Sequence, residues 1–319
     1  MAKKLKILII NAISSTKALM QDILGDFELD FRPLLSEDEL LGIICDYDAL
    51  IIRSQSKITQ DILERAKKLL IIGVMGVGLD NVCKSAKNRG IAVVNSKSGN
   101  TISASEHTLA LMLSLSKNIA NAHISMQEGA FIKDSFANIE LHAKTLGIIG
   151  LGRIGSRVAM LAQAFGMRII AHDPFLSALK IKQANERNIT LLGLKELLKR
   201  SDILTLHVPK TPLTSGMIGK EQLDLMKKNA LIINAARGGI VDECALKDAL
   251  DLGKIAGAAL DTHEFENKSI AKVSILKDYK NVILTPHIGA ATHEAKLAVT
   301  KDVCTKIKKF LKGRPCFMR

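Results

Sequence analysis

The sequence predicts an α/β protein built on parallel sheets, and three observations carry that expectation. Apolar runs of strand length alternate with amphipathic segments of helix length along nearly the whole chain. The runs are unbroken Ile, Leu and Val rather than apolar and polar in turn, and one of them feeds a glycine-rich turn that opens a helix. Unbroken apolar runs mark strands covered on both faces, as helices on either side of a parallel sheet require. With 319 residues the chain can bury a large core and divides most naturally into two domains, so two sheets are expected.

In the first third the strand-length runs are KILII (6–10), DALIIR (48–53), LLIIGV (69–74) and IAVVN (91–95). The lysines ahead of the first run imitate a secretory leader. Lys6 interrupts the pattern, however, and no small-residue cleavage site follows, so the run reads as a buried first strand. The stretch GVMGVGLDN, Gly73 to Asn81, has the spacing G-x-x-G-x-G and reads as a backbone loop. Small polar residues at 95–100 precede a long helical pattern that begins near Ser103. Six more runs follow: LGIIG, MRIIAHD, DILTLHV, ALIINAA, IAGAALD and NVILTPH. After the last comes a second long helix that stops at Gly313 and Pro315. Long helices at these two places are expected to cross between lobes, returning the final helix to the first lobe.

Composition narrows the function. Aromatic residues are 3% with no Trp, so the core is aliphatic. No apolar run reaches the ~18 residues that cross a bilayer. Five scattered cysteines (Cys45, Cys83, Cys244, Cys304, Cys316) contain no CxxC pair, which argues against a disulfide framework and a zinc site and favours reduced thiols in the cytoplasm. The formal charge of +13 and pI near 9.5 would suit nucleic acid, an acidic membrane or an anionic metabolite. The lysines are spread along the chain, the local run Lys306, Lys308, Lys309 is short, and aromatic interleaving for base stacking is absent. A solvated basic surface that attracts a small anion is the favoured reading, with neither nucleic acid nor membrane as partner.

The segment TLGIIGLGRIGSRVAMLAQAFGMRIIAHDP, 145–174, holds the sharpest motif. Gly150, Gly152 and Gly155 fit G-x-G-x-x-G between a strand (146–149) and a helix (154–165); a second strand (167–172) then ends at Asp173, 18 residues beyond Gly155. Such glycines permit the tight turn, the approach of a pyrophosphate and close packing of helix on strand, while the helix-terminal N–H groups meet phosphate. Asp173 can accept both ribose hydroxyls and its charge repels a 2′-phosphate, which favours NAD over NADP.

Three polar stretches follow later strands: NAARGGIVDE, ALDTHEFEN and TPHIGAATHEA. Ligands in such sheets sit beyond the carboxyl ends of strands, so the stretches offer Arg237, then Glu264 or Glu266, then His287. An Arg can grip a carboxylate by paired hydrogen bonds, a His can carry the proton of a hydroxyl, and an acid on its other ring nitrogen orients it. That set suits hydride transfer at a 2-hydroxy acid. His107, His123, His142 and His293 read as surface or packing residues, His172 merely precedes Asp173, and His207 sits beside an adenine-facing strand end. No spacing resembles a metal site.

The ordered series RSQSKIT, GVGLDNV, GNTISASEHTLALML, KTLGIIGLGRIG, HVPKTPLT, NAARGGIVDE, GAALD and LTPHIGAATHEA resembles the D-isomer-specific 2-hydroxyacid dehydrogenase family and, within it, the D-3-phosphoglycerate dehydrogenase subgroup. The resemblance implies a Rossmann NAD domain (99–289) inserted into a flavodoxin-like substrate domain (1–98 and 290–319), a small anionic 2-hydroxy or 2-oxo acid as substrate, and a homodimer built largely on the nucleotide domain. It implies Arg237 as the substrate-binding arginine, His287 as the acid–base and Glu266, five residues after Asp261, as the orienting acid, with Glu264 a rival. For the cofactor it implies Gly150, Gly152, Arg153, Ile154, Gly155, Asp173, Val208, Pro209, Ala235, Ala236, Asp261 (the carboxamide partner), Gly289 and Ala290. For the substrate it implies the backbones of Val77 and Gly78, with Arg53 and Asn100 beside them.

Departures from the family pattern bear on the site. Thr262 and His263 stand where Val-Phe is usual, and Asn267 where Pro is usual. Many members of the subgroup carry Arg where this chain has Val74 and Lys133, both candidate positions for holding a substrate phosphate. The expected reaction is the interconversion of 3-phospho-D-glycerate and 3-phosphohydroxypyruvate, the first step of serine biosynthesis, without a regulatory domain after Arg319. Hydroxypyruvate or glyoxylate reduction is the alternative. A more distant one is an NAD-sensing corepressor scaffold.

Overall fold

The computed structural model describes residues 4–265 and 274–313. They form two compact units: the chain up to Asn100 with the segment from Thr292, and the intervening Thr101–Ala291.

In chain order the first unit begins β1 (Lys6–Ile10), α1 (Ser14–Leu24), β2 (Glu28–Arg32), α2 (Glu37–Ile43), β3 (Ala49–Ile52), α3 (Gln60–Arg65), β4 (Ile71–Val74), α4 (Ser85–Asn88) and β5 (Ala92–Asn95). The second unit comprises α5 (Thr101–Ser116), α6 (Ile119–Gln127), β6 (Thr145–Ile149), α7 (Arg153–Ala164), β7 (Arg168–His172), α8 (Ala178–Glu186), β8 (Ile189–Leu191), α9 (Leu194–Arg200), β9 (Ile203–Leu206), α10 (Lys220–Asp224), β10 (Leu231–Asn234), α11 (Glu243–Asp251), β11 (Gly257–Leu260) and β12 (Val282–Leu284). The chain then returns to the first unit as α12 (His293–Lys312).

The first unit is a five-stranded parallel sheet in the order β2-β1-β3-β4-β5, which is the flavodoxin-like order. The alternation of side chains across each strand fills both faces. Ile7, Ile9, Ile51 and Ile71 point to the face covered by Val303 and Ile307 of α12, while Leu8, Leu50, Ile52 and Ile72 pack with Ile62 and Leu63 of α3. Thr292 caps α12, its hydroxyl accepting from Ala295 N at 3.2 Å. Three lysines of this helix find acids nearby: Lys306 pairs with Asp302 at 2.8 Å, and Lys308 and Lys312 with Asp26.

The second unit is a seven-stranded parallel sheet ordered β12-β11-β10-β9-β6-β7-β8. Counted within the unit, its first strand, β6, lies between its second and its fourth, the doubly wound Rossmann arrangement. On one face Leu109 and Met112 of α5 and Val158 and Ala162 of α7 meet Ile148 and Ile169. On the other, Leu197, Leu223, Leu246 and Leu250 meet Ile149, Leu204 and Ile232. The strand order reverses between β6 and β9, which places a ligand crevice beyond their carboxyl ends.

Two strands lie outside the sequence expectation. β2 (ELDFR) and β8 (ITL) are sheet edges with partly exposed, polar positions, and so carry no unbroken apolar run. The long helix expected from Ser103 begins at Thr101 and stops at Ser116; Asn118, with φ 49°, turns the backbone left-handed and a separate helix, α6, follows. Among the described residues no helix is long and apolar enough to cross a membrane, and no group of His, Cys, Asp and Glu could hold a metal.

Candidate active site

The loop after β6 is shaped by what its residues lack. Gly150 has φ +92°, and a Cβ on it would come within 2.7 Å of the His207 carbonyl oxygen. A Cβ on Gly155 would overlap the carbonyl oxygen of Gly150, so the first turn of α7 packs directly on the loop. A Cβ on Gly152, by contrast, would meet nothing within 4 Å. Gly152 is also the N-cap of α7 and offers no side chain to its first turn, so the amides that begin at Arg153 and Ile154 are left to a ligand. Asp173, just past β7, closes this end: its carboxylate accepts from Leu151 N at 2.9 Å and Phe175 N at 3.0 Å. Val208 and Pro209 follow β9, at the point of strand reversal. Packing around His207 pushes its pKa down to about 4, and its Nε2 lies 3.1 Å from the Thr205 hydroxyl.

The loop after β10 is braced by the Asn234 side chain, whose Oδ1 accepts from Ala236 N at 3.1 Å and whose Nδ2 donates to Arg237 O at 3.0 Å. Arg237 in turn donates from Nη1 to Ala236 O at 2.7 Å. Glu243, at the start of α11 and buried, accepts from Glu264 N at 2.8 Å, tying the β10 and β11 loops together. The Glu264 side chain is exposed, and Glu266 lies outside the described residues.

His287 follows β12 with φ 54°, a left-handed backbone that disfavours a residue with a branched or bulky side chain. The conformation is held by Asp261, only 1% exposed at the end of β11. Asp261 Oδ1 accepts from the Thr285 hydroxyl (2.6 Å) and Ile288 N (2.9 Å), and Oδ2 from Gly289 N (2.9 Å). His107 Nε2 stands 3.2 Å from Oδ1. Burial pushes the Asp261 carboxyl up, but the hydrogen bonds from His107, Thr285, Ile288 and Gly289 outweigh it and hold the group below the ordinary carboxylate range.

His107 was expected to be a surface or packing residue; it instead joins a buried network, because α5 runs under the β12 loop. Ser103, one helical turn earlier, donates to Gly289 O at 2.7 Å. The i, i+4 pair Ser103 and His107 is the sequence signal for this polar face. Thr285, Asn234 and Glu243 are further residues that sequence reasoning left out, and His263 stands there only as a departure from the family pattern.

In the first unit the loop after β4 carries Val77 and Gly78. Asn95 donates to Val77 O, and Asn81 donates to Arg53 O (3.1 Å) and Ser56 O (2.7 Å), so both loops are pinned at their backbones. Burial lowers the pKa of the half-buried Arg53. The Asn100 side-chain oxygen is buried with no hydrogen-bond partner among the described residues. Val74 is 1% exposed, packed among the aliphatic residues of the core, so its side chain is not placed to meet a ligand; Lys133 is exposed.

Residues 109–289 match the profile described as "D-isomer specific 2-hydroxyacid dehydrogenase, NAD binding domain". The chain belongs to that family. Among family relatives, the D-3-phosphoglycerate dehydrogenase of Synechocystis sp. is 42% identical over 319 residues, covering 97% of this chain and 56% of the relative. That of Methanocaldococcus jannaschii is 46% identical over 288 residues, covering 90% and 54%. The chain thus spans a little over half the length of these relatives. Among solved structures, D-lactate dehydrogenase from Aquifex aeolicus, complexed with NAD and lactic acid, superposes with a TM-score of 0.86 at 32% identity, covering 96% of each chain. The family's NAD-binding domain is therefore the seven-stranded unit. The space that a Cβ at Gly152 would fill, and the uncapped start of α7, fit a dinucleotide pyrophosphate.

Proposed function

We propose that the protein is an NAD-dependent D-2-hydroxyacid dehydrogenase that interconverts 3-phospho-D-glycerate and 3-phosphohydroxypyruvate. The observation that carries the reaction class is His287, exposed at the carboxyl end of β12 and kept in a left-handed backbone by a buried carboxylate. Residues held in sparsely populated conformations concentrate where chemistry is done. The substrate class is supported by the relatives at 42% and 46% identity.

In this reading the glycine loop, the first turn of α7, Asp173, Val208, Pro209, Ala235, Ala236, Asp261, Gly289 and Ala290 hold NAD, which when bound accepts or returns a hydride at its nicotinamide ring. As the hydride leaves C2 of the hydroxy acid, His287 takes the hydroxyl proton; in the reverse direction it gives the proton back to the 2-oxo oxygen. Arg237 grips the carboxylate and polarises the 2-oxo group through paired donors. The family pattern assigns Glu266 as the acid that orients the imidazole. In the first unit the family pattern assigns to substrate the backbones of Val77 and Gly78, with Arg53 and Asn100 beside them. The orphaned Asn100 oxygen is an acceptor that a substrate hydroxyl would satisfy. The +13 charge speeds encounter with an anionic substrate.

The four described cysteines are free thiols, which supports a reducing, cytoplasmic setting. Exposed apolar side chains on and after α6 (Ile119, Ile124, Met126, Phe131) support a homodimer built on the second unit. The exposed Lys133, in place of an arginine, favours the second reading, reduction of unphosphorylated hydroxypyruvate or glyoxylate. Steady-state NADH oxidation with the three 2-oxo acids separates these readings. Higher kcat/KM for 3-phosphohydroxypyruvate is expected; clear preference for glyoxylate or hydroxypyruvate transfers the assignment to the reductase, and no turnover of any removes the dehydrogenase.

A further inference from the structure

The histidine at 263, where the family pattern has an aromatic residue without a donor, is unexplained by hydride transfer. Its ring stacks on Phe265, with centroids 5.0 Å apart and planes inclined at 14°, which a phenylalanine would do equally well. What the imidazole adds is a hydrogen bond: Nε2 lies 2.9 Å from Thr285 O. A carbonyl oxygen only accepts, so the ring proton sits on Nε2. The same carbonyl accepts from His287 N at 3.0 Å, in a tight turn about Pro286.

The backbone N–H of Thr285 donates to Leu260 O at 3.0 Å, and its side chain is fixed as well. Its hydroxyl donates to Asp261 Oδ1 and lies 3.4 Å from His107 Nε2, which also reaches Asp261 Oδ1 at 3.2 Å. Because an ionised carboxylate only accepts, His107 too carries its proton on Nε2. Beyond His287, the amides of Ile288 and Gly289 end on Asp261, and Gly289 O accepts from Ser103. The backbone on both sides of the left-handed residue is thus tied to side chains brought from α5 and from the end of β11.

We propose that His107 and His263 are positioning residues, a two-histidine clamp on Thr285 that sets the backbone, and hence the imidazole, of His287. The kinetic part of this proposal rests on the dehydrogenase reading; the structural part does not. A left-handed non-glycine residue persists only where its surroundings over-determine it, and the clamp supplies that excess of constraint. His263 would be this chain's own addition to it.

The test compares His263→Phe and His107→Phe, which keep a ring but remove the donor, with His263→Gln and His107→Gln, which restore an N–H. Amide hydrogen exchange across 284–291 is followed together with kcat and KM. In the Phe variants exchange over 284–291 is expected to speed by about threefold to tenfold, the scale of one hydrogen bond in an opening equilibrium. Exchange over 150–156 should not change. The kcat should fall about tenfold while KM for NADH stays within about twofold, because misplacement of a reacting group acts on the chemical step. The Gln variants should recover part of both effects. Unchanged exchange over 284–291 in both Phe variants overturns the clamp. Should those variants fail to fold, ¹⁵N imidazole spectra of the wild-type protein decide it: protonation on Nδ1 rather than Nε2 at His107 or His263 rejects the assignment. If no 2-oxo acid is turned over, the dehydrogenase reading fails while exchange still judges the clamp. If wild-type turnover is normal and the variants match it in exchange and kcat, the clamp alone falls.

Discussion

The loop after β6 and the loop after β12 both place backbone outside the common regions of conformational space, and they do so by opposite means. At Gly150 the left-handed turn is reached by having no side chain, and Gly155 lets a helix touch the loop directly. At His287 a bulky residue takes the same hand of turn because Asp261, Thr285, His107 and His263 hold its neighbours. The first loop needs only backbone, which suits a ligand bound by N–H groups. In the proposed reading the second must keep a side chain at the turn for proton chemistry, so the constraint has to come from elsewhere in the fold.

The largest break in this comparison is expected from His287→Gln. Removing the proton carrier should lower kcat by about 10²–10⁴-fold, while NADH fluorescence titration shows affinity unchanged because the glycine loop is intact; near-normal turnover would sink the assigned chemistry. Acid should then separate the two loops. His207, whose carbonyl abuts Gly150, is neutral in the folded protein with a pKa near 4. The unfolded chain, near 6.5, binds the extra proton between those values, so stability is full above pH ~6.5 and is lost as pH falls towards 4, by up to roughly 3 kcal/mol. Asp261, held below the ordinary carboxylate range, keeps its contribution until lower pH. Melting curves from pH 7 to 4 should therefore be flatter in His207→Gln, and an equal slope in both proteins argues against the buried neutral histidine.

A third prediction adds one methyl group where the backbone chain tolerates none. Gly155→Ala should cost about 1–3 kcal/mol of stability and weaken NADH binding, read by melting temperature and fluorescence, without altering exchange at 284–291. The smallest effect is expected from Asp173→Ala, a narrowing of the kcat/KM preference for NAD over NADP by about tenfold, the low end of what one charge-assisted hydrogen bond is worth; an unchanged ratio takes Asp173 out of the site.

The contrast also explains what could be read from the sequence. A loop made of missing side chains declares itself as a spacing of glycines, so the helix expected at 154–165 is observed at Arg153–Ala164, and the strand expected at 146–149 at Thr145–Ile149. A loop made by distant side chains leaves only a faint one: Ser103 and His107 share a helix face, but His107 and Thr285 are 178 positions apart, and nothing near either residue points to the other. Val74 shows a further limit. In a strand buried on both faces every residue is apolar, so its sequence cannot tell which side chains face the core and which face a ligand. Edge strands β2 and β8 escaped for the opposite reason, being too polar or too short to register.

The passage of the chain out of the first unit at Asn100 and back at Thr292 also sets an order of synthesis. Val299, Val303, Ile307 and Leu311 of α12 complete the core over Ile7, Ile9, Ile51 and Ile71. Until the ribosome has released residue 311, that face of the first sheet has only Met20 and Leu24 of α1 for cover, although all five of its strands emerged some two hundred residues earlier. At roughly 5–20 residues per second that interval lasts on the order of ten seconds or more. During it the seven-stranded unit can close on itself, and the nascent five-stranded sheet is the surface a chaperone would find.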